Sequence, residues 1–281
     1  TWLFQGKQDM KLIAIVNAVS RLISVIMVFV LVHKEQHLYL YCICYAITFL
    51  LSAALGIELA REKYGLKVKL SGVKDAISEI KDGWYLFISQ AMSKIFSGIG
   101  TTVLGFAATS SVVGIYSAIY KIPYIMVLFF SPISQALYPH ISVKFSQSFH
   151  SGRNTCKKTA KWVIPIFALA GVTIIILRNP LISIAFGKSY LIYSIIIIPL
   201  AIWMLLSVIN NFLGIQYLVA SGNQKLYSQA FTISSLITVA LNIFLGLLYG
   251  IYGISIAAPI GEACLTILLI LNGKKVKEKE L

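Results

Sequence analysis

Three cations, Arg21, Lys94 and Lys121, stand inside long apolar stretches, and so does one deep carboxylate, Glu262, with Glu58 nearer an interface. A charged side chain at the centre of a membrane-spanning helix costs about 2.5–3.5 kcal/mol on insertion scales. Several such costs against a folding surplus of about 5–15 kcal/mol demand water or a partner around these groups rather than acyl chains. An ammonium or guanidinium in such a place offers a charge-assisted contact to an anion, phosphate or pyrophosphate above all. Glu262 offers the complement, a group that couples to an ion or neutralises one of the lysines. Arg21 either faces a lumen or pairs with a carboxylate in another part of a longer chain, and Lys121 snorkels instead if its span is short.

Helical spacing gathers further polar residues beside these charges. Gln90, Lys94, Ser97 and Thr101 share one face, as do Asn17, Arg21 and Ser24. Ser117, Lys121 and Tyr124 align, and Gln135 and Tyr138 continue that face beyond Pro132. Ser255, Pro259, Glu262 and Thr266 make another stripe; Ser235, Thr238 and Asn242 a further one; Ser207, Asn210, Asn211 and Gly214 cluster. Serine, threonine and glycine alone at such positions read as helix packing. Together with the charges they predict a shared hydrated cavity. Its expected anion contacts are Lys94, Lys121 and Arg21, its lining includes Gln90, Ser97, Asn210 and Asn211, and Glu262 is the candidate for ion coupling. Pro123, Pro132, Pro199 and Pro259 are expected to kink their helices.

Catalytic and metal chemistry find no support. His33, His37, His140 and His150 lie in expected loops, and the His33–Glu35–His37 cluster reads as solvated. Cys42, Cys44, Cys156 and Cys264 lack metal-site spacing and read as packing residues. There is no phosphate-cradling glycine loop with its lysine. No enzyme activity, metal or cofactor is expected.

The elements that must position these residues are eight apolar stretches at roughly 12–32, 38–60, 84–108, 112–138, 160–178, 190–219, 227–249 and 251–271. Each approaches or exceeds the ~20 residues that cross a ~30 Å hydrocarbon core. The chain is 58% hydrophobic and 12% charged, with a mean hydropathy of +0.84; a soluble domain carries about 25% charge. Alternation over ~10-residue segments, the mark of a membrane barrel, is absent. The fold class is therefore all-α, a polytopic membrane bundle of eight transmembrane helices.

Eighteen of the 24 Lys and Arg fall on the side that holds both chain ends, and only Lys34, Arg178 and Lys188 on the other. The positive-inside rule places both ends in the cytoplasm. A net charge of +14 then points to anionic membrane lipids rather than nucleic acid. Trp2, Trp84, Trp162, Tyr39, Tyr41, Tyr138, Tyr190, Tyr249 and Tyr252 stand near span ends, where aromatic rings sit at headgroup depth.

The connections divide the chain unevenly. Residues 1–60 hold two spans. Residues 61–83 form a polar cytoplasmic linker in which Val73, Ile77 and Ile80 recur at the spacing of an amphipathic surface helix. Residues 84–272 hold six spans, and 273–281 a basic tail. Residues 139–159 are expected as a second basic cytoplasmic connector. Asn179–Pro180 is expected to break a helix, leaving LISIAFG as a re-entrant or interfacial piece. The exterior loops are otherwise minimal. The start at Thr1, with no signal-peptide layout, reads as the C-terminal part of a longer protein.

WLFQGKQDM at 2–10, VGIYSAIYKI at 113–122, LYPHIS at 137–142, AFGKSY at 185–190 and YLVASGNQKLY at 217–227 resemble, in order and spacing, the polysaccharide-biosynthesis flippases. The pattern is that of Wzx-type O-antigen transporters, within the multidrug/oligosaccharidyl-lipid/polysaccharide exporter superfamily. The resemblance implies twelve helices in two six-helix lobes. This chain would supply the last two helices of the first lobe, the linker and the whole second lobe, with the N-terminal lobe as its missing partner. It also implies a cargo, undecaprenyl-pyrophosphate-linked oligosaccharide moved from the cytoplasmic to the periplasmic leaflet of the bacterial inner membrane by alternating access. Polysaccharide-assembly proteins are possible partners. The alternatives are a multidrug/cation antiporter or lipid II flippase of the same superfamily. An O-antigen polymerase is disfavoured by the tiny exterior loops, which carry no carboxylate pair.

Overall fold

Backbone polar groups in lipid must be satisfied within the segment that carries them, and the apolar stretches meet this as helices. The computed structural model describes residues 3–4, 9–34, 37–65 and 98–279, and no strand occurs among them. The chain divides into two units, Thr1–Gly83 and Trp84–Leu281. The described part is an all-α, multi-pass membrane protein, with six helices long and apolar enough to cross a bilayer.

The first unit pairs α1 (Met10–Leu31) with α2 (Leu38–Tyr64). Near the turn the Ser24 hydroxyl donates to the Cys44 carbonyl at 3.3 Å. At the opposite end Phe4, Val16 and Ala60 form a small buried core. There Lys63 pairs with Asp9, and the Tyr64 hydroxyl donates to the same carboxylate at 2.9 Å. Gly65 closes α2 in the left-handed conformation (φ 61°), its N–H reaching the Ala60 and Arg61 carbonyls. The expected linker helix with Val73, Ile77 and Ile80 lies outside the described residues.

The Lys63 contact holds the Asp9 carboxyl below the usual carboxylate range, helped by the Tyr64 hydroxyl. A carboxyl lowered by folding contributes stability that is present above its ordinary pKa and fades as pH falls through the lowered one. Acidifying below about pH 4 is therefore expected to lower the melting temperature of the parent more than that of Asp9→Asn. Parallel loss in both proteins would assign no stabilising role to this carboxylate.

The second unit begins, among the described residues, with α3 (Gly98–Ala107), the end of the expected third span. Helix α4 (Ser110–Gln147) runs through Pro123, Pro132 and Pro139 as one 38-residue element. At 1.5 Å per residue it is about 57 Å long, far more than a bilayer core requires. Helix α5 (Phe149–Ile176) follows after a single extended residue, Ser148, whose hydroxyl accepts from the Ser151 N–H at 3.1 Å. The expected connector at 139–159 is therefore not a loop. It is a helical hairpin, with Phe145, Phe149 and Tyr217 packed at ring-centroid separations of 5.7–6.2 Å.

Pro180 does not break a helix either. It is the third residue of α6 (Arg178–Phe186), a position whose N–H has no intrahelical acceptor to lose; the break is at Leu177. A 3-10 segment (Lys188–Ile196) leads into α7 (Ile197–Asn211), which widens into a π-helical stretch (Phe212–Val219). The expected sixth span is thus three kinds of helix in series.

Last comes α8 (Gln224–Lys279), interrupted only at Gly250 (φ 54°, ψ −130°). That conformation is open to glycine and costs other residues dearly. It reverses the chain in one residue, so the arms 224–249 and 251–279 are the expected seventh and eighth spans. Ser234 donates to the Gly261 carbonyl at 2.9 Å and Asn272 to the Leu226 carbonyl at 3.0 Å, the antiparallel register of a tight hairpin. Small residues allow the approach: a Cβ on Gly246 would stand 3.0 Å from Ile254, and one on Gly253 would collide with the Leu245 carbonyl.

Three cores fill the unit, among them a cluster of Leu218, Ala230, Leu265 and Leu269 between the π stretch and α8. Another gathers Leu104, Ile119, Ile182, Leu200, Met204 and Ile254, and the last gathers Phe130, Ile141, Phe167, Val208 and Phe212.

Candidate functional site

Between the cores, α3, α4, α7 and both arms of α8 enclose a cavity of about 250 Å³. Ser234, Ser235, Thr238 and Asn242 line it from the first arm of α8, Glu262 from the second, and Thr101 from α3. The stripe Ser235–Thr238–Asn242 and the face of Glu262 thus turn to one space. Much of the polarity is tied to backbone: Thr238 donates to the Ser234 carbonyl and Asn242 to the Thr238 carbonyl, each at 2.8 Å. Glu262 is the formal charge in the described lining.

Its carboxylate is held from behind. Asn210 Nδ2 donates to Glu262 Oε2 at 2.6 Å and to the Glu262 carbonyl at 2.9 Å; Thr266 Oγ1 donates to Asn210 Oδ1 at 2.7 Å. Asn210 is almost fully buried, so the bridge between α7 and α8 sits in low dielectric, where such a bond is strong and its loss costly. No ion pair to Glu262 occurs among the described residues.

Asn211 is turned the other way, by the ~100° that one helical residue imposes. Its Oδ1 accepts from Ser134 on α4 at 2.8 Å, and Gln216 donates to the Ser134 carbonyl at 2.9 Å. Adjacent asparagines therefore join α7 to two different helices. The π stretch beyond them adds width to each turn and presents Gln216, fully buried, to α4. Sequence reasoning grouped Asn210 and Asn211 as one lining; only Asn210 reaches Glu262.

On α4 the face toward the cavity differs from the expected one. Tyr116 and Tyr120 line it, with Trp203 of α7 opposite, 5.1 Å from Tyr120 between ring centroids. Tyr116, Tyr120 and Tyr124 stack along α4 at 6.0 and 5.5 Å. Lys121, one residue further round, is exposed on the second unit and does not line this cavity. The tyrosines at 116, 120 and 124 are four apart, a visible signal that a search for charged stripes passes over.

In the first unit Arg21 is exposed and lines a groove of about 670 Å³ with Asn17, Ser24, Tyr45 and Thr48. Gln90, Lys94 and Ser97 lie outside the described residues.

Residues 1–145 match the family described as polysaccharide biosynthesis protein. A protein assigned as an O-antigen transporter in Shigella dysenteriae is 25% identical over 279 residues, covering 96% of this chain and 67% of its own length. Its counterpart in Escherichia coli is 26% identical, covering 96% and 65%. A protein of Haloferax volcanii assigned as a low-salt glycan biosynthesis flippase is 25% identical over 79% of this chain and 48% of its own length. The solved structure of the lipid II flippase MurJ, in its inward closed conformation, has the same fold: TM-score 0.71 at 22% identity, over 93% of this chain and 56% of that one. The chain thus spans about two thirds of the O-antigen transporters and just over half of the solved flippase.

Proposed function

Because the chain belongs to the polysaccharide biosynthesis protein family, we propose that it serves in a flippase for lipid-linked oligosaccharide. The finer reading is an undecaprenyl-pyrophosphate-linked O-antigen repeat unit carried from the cytoplasmic to the periplasmic leaflet of a bacterial inner membrane by alternating access. The observation that carries it is likeness to O-antigen transporters along 96% of the chain. In this reading residues 1–60 are the last two helices of one lobe, 61–83 the inter-lobe linker, 84–272 a six-helix second lobe and 273–281 a cytoplasmic tail. Both chain ends are cytoplasmic, as the distribution of basic residues argues.

Arg21, Lys94 and Lys121 are the proposed contacts for the cargo's pyrophosphate. Gln90 and Ser97 complete the polar faces, while Asn211 ties α7 to α4. Glu262, positioned by Asn210, is proposed to couple a cation or proton to the transition between states. Buried carboxylates within membrane bundles commonly serve such relays.

The test is export of glycan in cells that lack the chromosomal gene and carry the full-length protein. Deletion is expected to accumulate a lipid-linked repeat unit on the cytoplasmic leaflet. Lys94→Ala is expected to impair export while membrane insertion stays intact, with Lys94→Arg milder if charge alone matters. Full complementation by Lys94→Ala would remove that residue from the route. Accumulation of lipid II instead would reassign the cargo, and single lipid-linked units on the outer leaflet would indicate a polymerase.

A further inference from the structure

No Asp or Glu occurs between Asp82 and Glu262, so the α4–α5 hairpin has no carboxylate near it in sequence. Lys157, Lys158 and Lys161 line a groove of about 590 Å³ with Ser151, Asn154 and Thr155. All three lysines are exposed, and neither ion pair among the described residues involves them. The hairpin is held firmly from behind: Cys156, on the opposite face of α5, is buried, and Gly152 lies against Phe145.

The lysine face continues along the helix. Lys158, Trp162, Ile166, Leu169, Thr173 and Ile176 follow one another at steps of three or four and are all exposed. One stripe of α5 therefore passes from ammonium groups, through an indole that is 72% exposed, to apolar side chains. Trp162 marks headgroup depth, since indoles favour the membrane interface. From Trp162 to Thr173 the helix rises about 16 Å, the depth of one hydrocarbon leaflet at ~15 Å. A ligand that fits the whole stripe is anionic at one end, apolar over a leaflet's depth, and enters from the side of the bilayer.

We infer that this stripe is a docking surface for an anionic phospholipid of the cytoplasmic leaflet. Its phosphates sit among Lys157, Lys158 and Lys161, and its acyl chains lie along Ile166 and Leu169. The placement in that leaflet rests on the orientation proposed above. A bound lipid would stiffen the hairpin that joins α4 to α5, and so the helix that carries Tyr116 and Tyr120.

The test uses the full-length protein in detergent micelles, titrated with cardiolipin and read by native mass spectrometry. Lys157→Gln/Lys158→Gln/Lys161→Gln is expected to bind cardiolipin on the order of 100-fold more weakly, from the contribution of each juxtamembrane cation. Lys274→Gln/Lys275→Gln, on the tail, is expected to stay within about twofold, because those charges lie off the stripe. Phosphatidylcholine and inorganic phosphate should not compete. Equal binding by the triple variant, or competition by phosphatidylcholine, overturns the site. Tighter binding of a polyprenyl diphosphate than of cardiolipin also overturns it, and makes the stripe a loading point for cargo. A separate readout guards the orientation: with exposed Cys42 replaced by alanine, Asn154→Cys should react with a membrane-impermeant maleimide in inside-out vesicles only. Labelling from the outside would sink the topology, whereas correct labelling with lost lipid selectivity would sink the docking surface alone.

Discussion

Glu262→Gln is expected to leave a folded, inserted protein whose transport is about 10- to 100-fold slower, the span of typical coupling energies. The amide keeps an oxygen for Asn210 Nδ2, now 2.6 Å from Glu262 Oε2. The stability lost is only the difference between a charged and a neutral acceptor, about 1 kcal/mol. What the amide cannot do is take up a proton or balance a cation. The variant's transport should therefore lose the dependence on pH or on cation concentration that the parent shows, and this flattening separates a coupling role from a structural one. Asn210→Ala is the companion: it strands the carboxylate and should cost both stability and rate. Parental rates at every pH in Glu262→Gln would remove Glu262 from the transport cycle.

Gly253→Ala is expected to give the largest loss of folded protein of any single methyl addition in the second unit. The new Cβ would collide with the Leu245 carbonyl, a backbone atom that yields only if the two arms of α8 separate. Overpacking of this kind costs about 1–3 kcal/mol and occasionally more, enough to lower the melting temperature by several degrees or to abolish insertion. Gly105→Ala is the control, because nothing lies within 4 Å of its added carbon, and alanine also favours the helix by about 1 kcal/mol. A Gly253→Ala protein as stable as the parent would mean that the two arms are not closely apposed at Leu245.

The helices were legible in the sequence because apolar length and the spread of Lys and Arg are properties of composition, independent of which faces meet. The stripe Ser235–Thr238–Asn242 and the face of Glu262 were legible for a related reason, since periodicity alone sets which residues share a face. Other features depended on contacts. Extension of α4 and α5 through 139–159 was hidden because a polar, basic helix outside the bilayer has no hydropathy signal. Pro180 misled because proline ends a helix or begins one according to its distance from the first turn. The cavity face of α4 was shifted by one residue from the one drawn through Lys121, since tyrosines at helical spacing look like core. Asn210 and Asn211 looked equivalent, and only the neighbouring helices assign them to different partners.

Gly250 reverses the chain in a single residue, and glycines along both arms bring their backbones within touching range. Rods meshed so closely cannot slide past one another without first being pried apart, so the two arms of α8 travel as one piece. Glu262 rides on that piece with Ser235, Thr238 and Asn242. Any widening or narrowing around the carboxylate must then come from displacement of α3, α4 or α7. The second unit thereby has a stator and a set of moving walls, with the acidic group mounted on the stator.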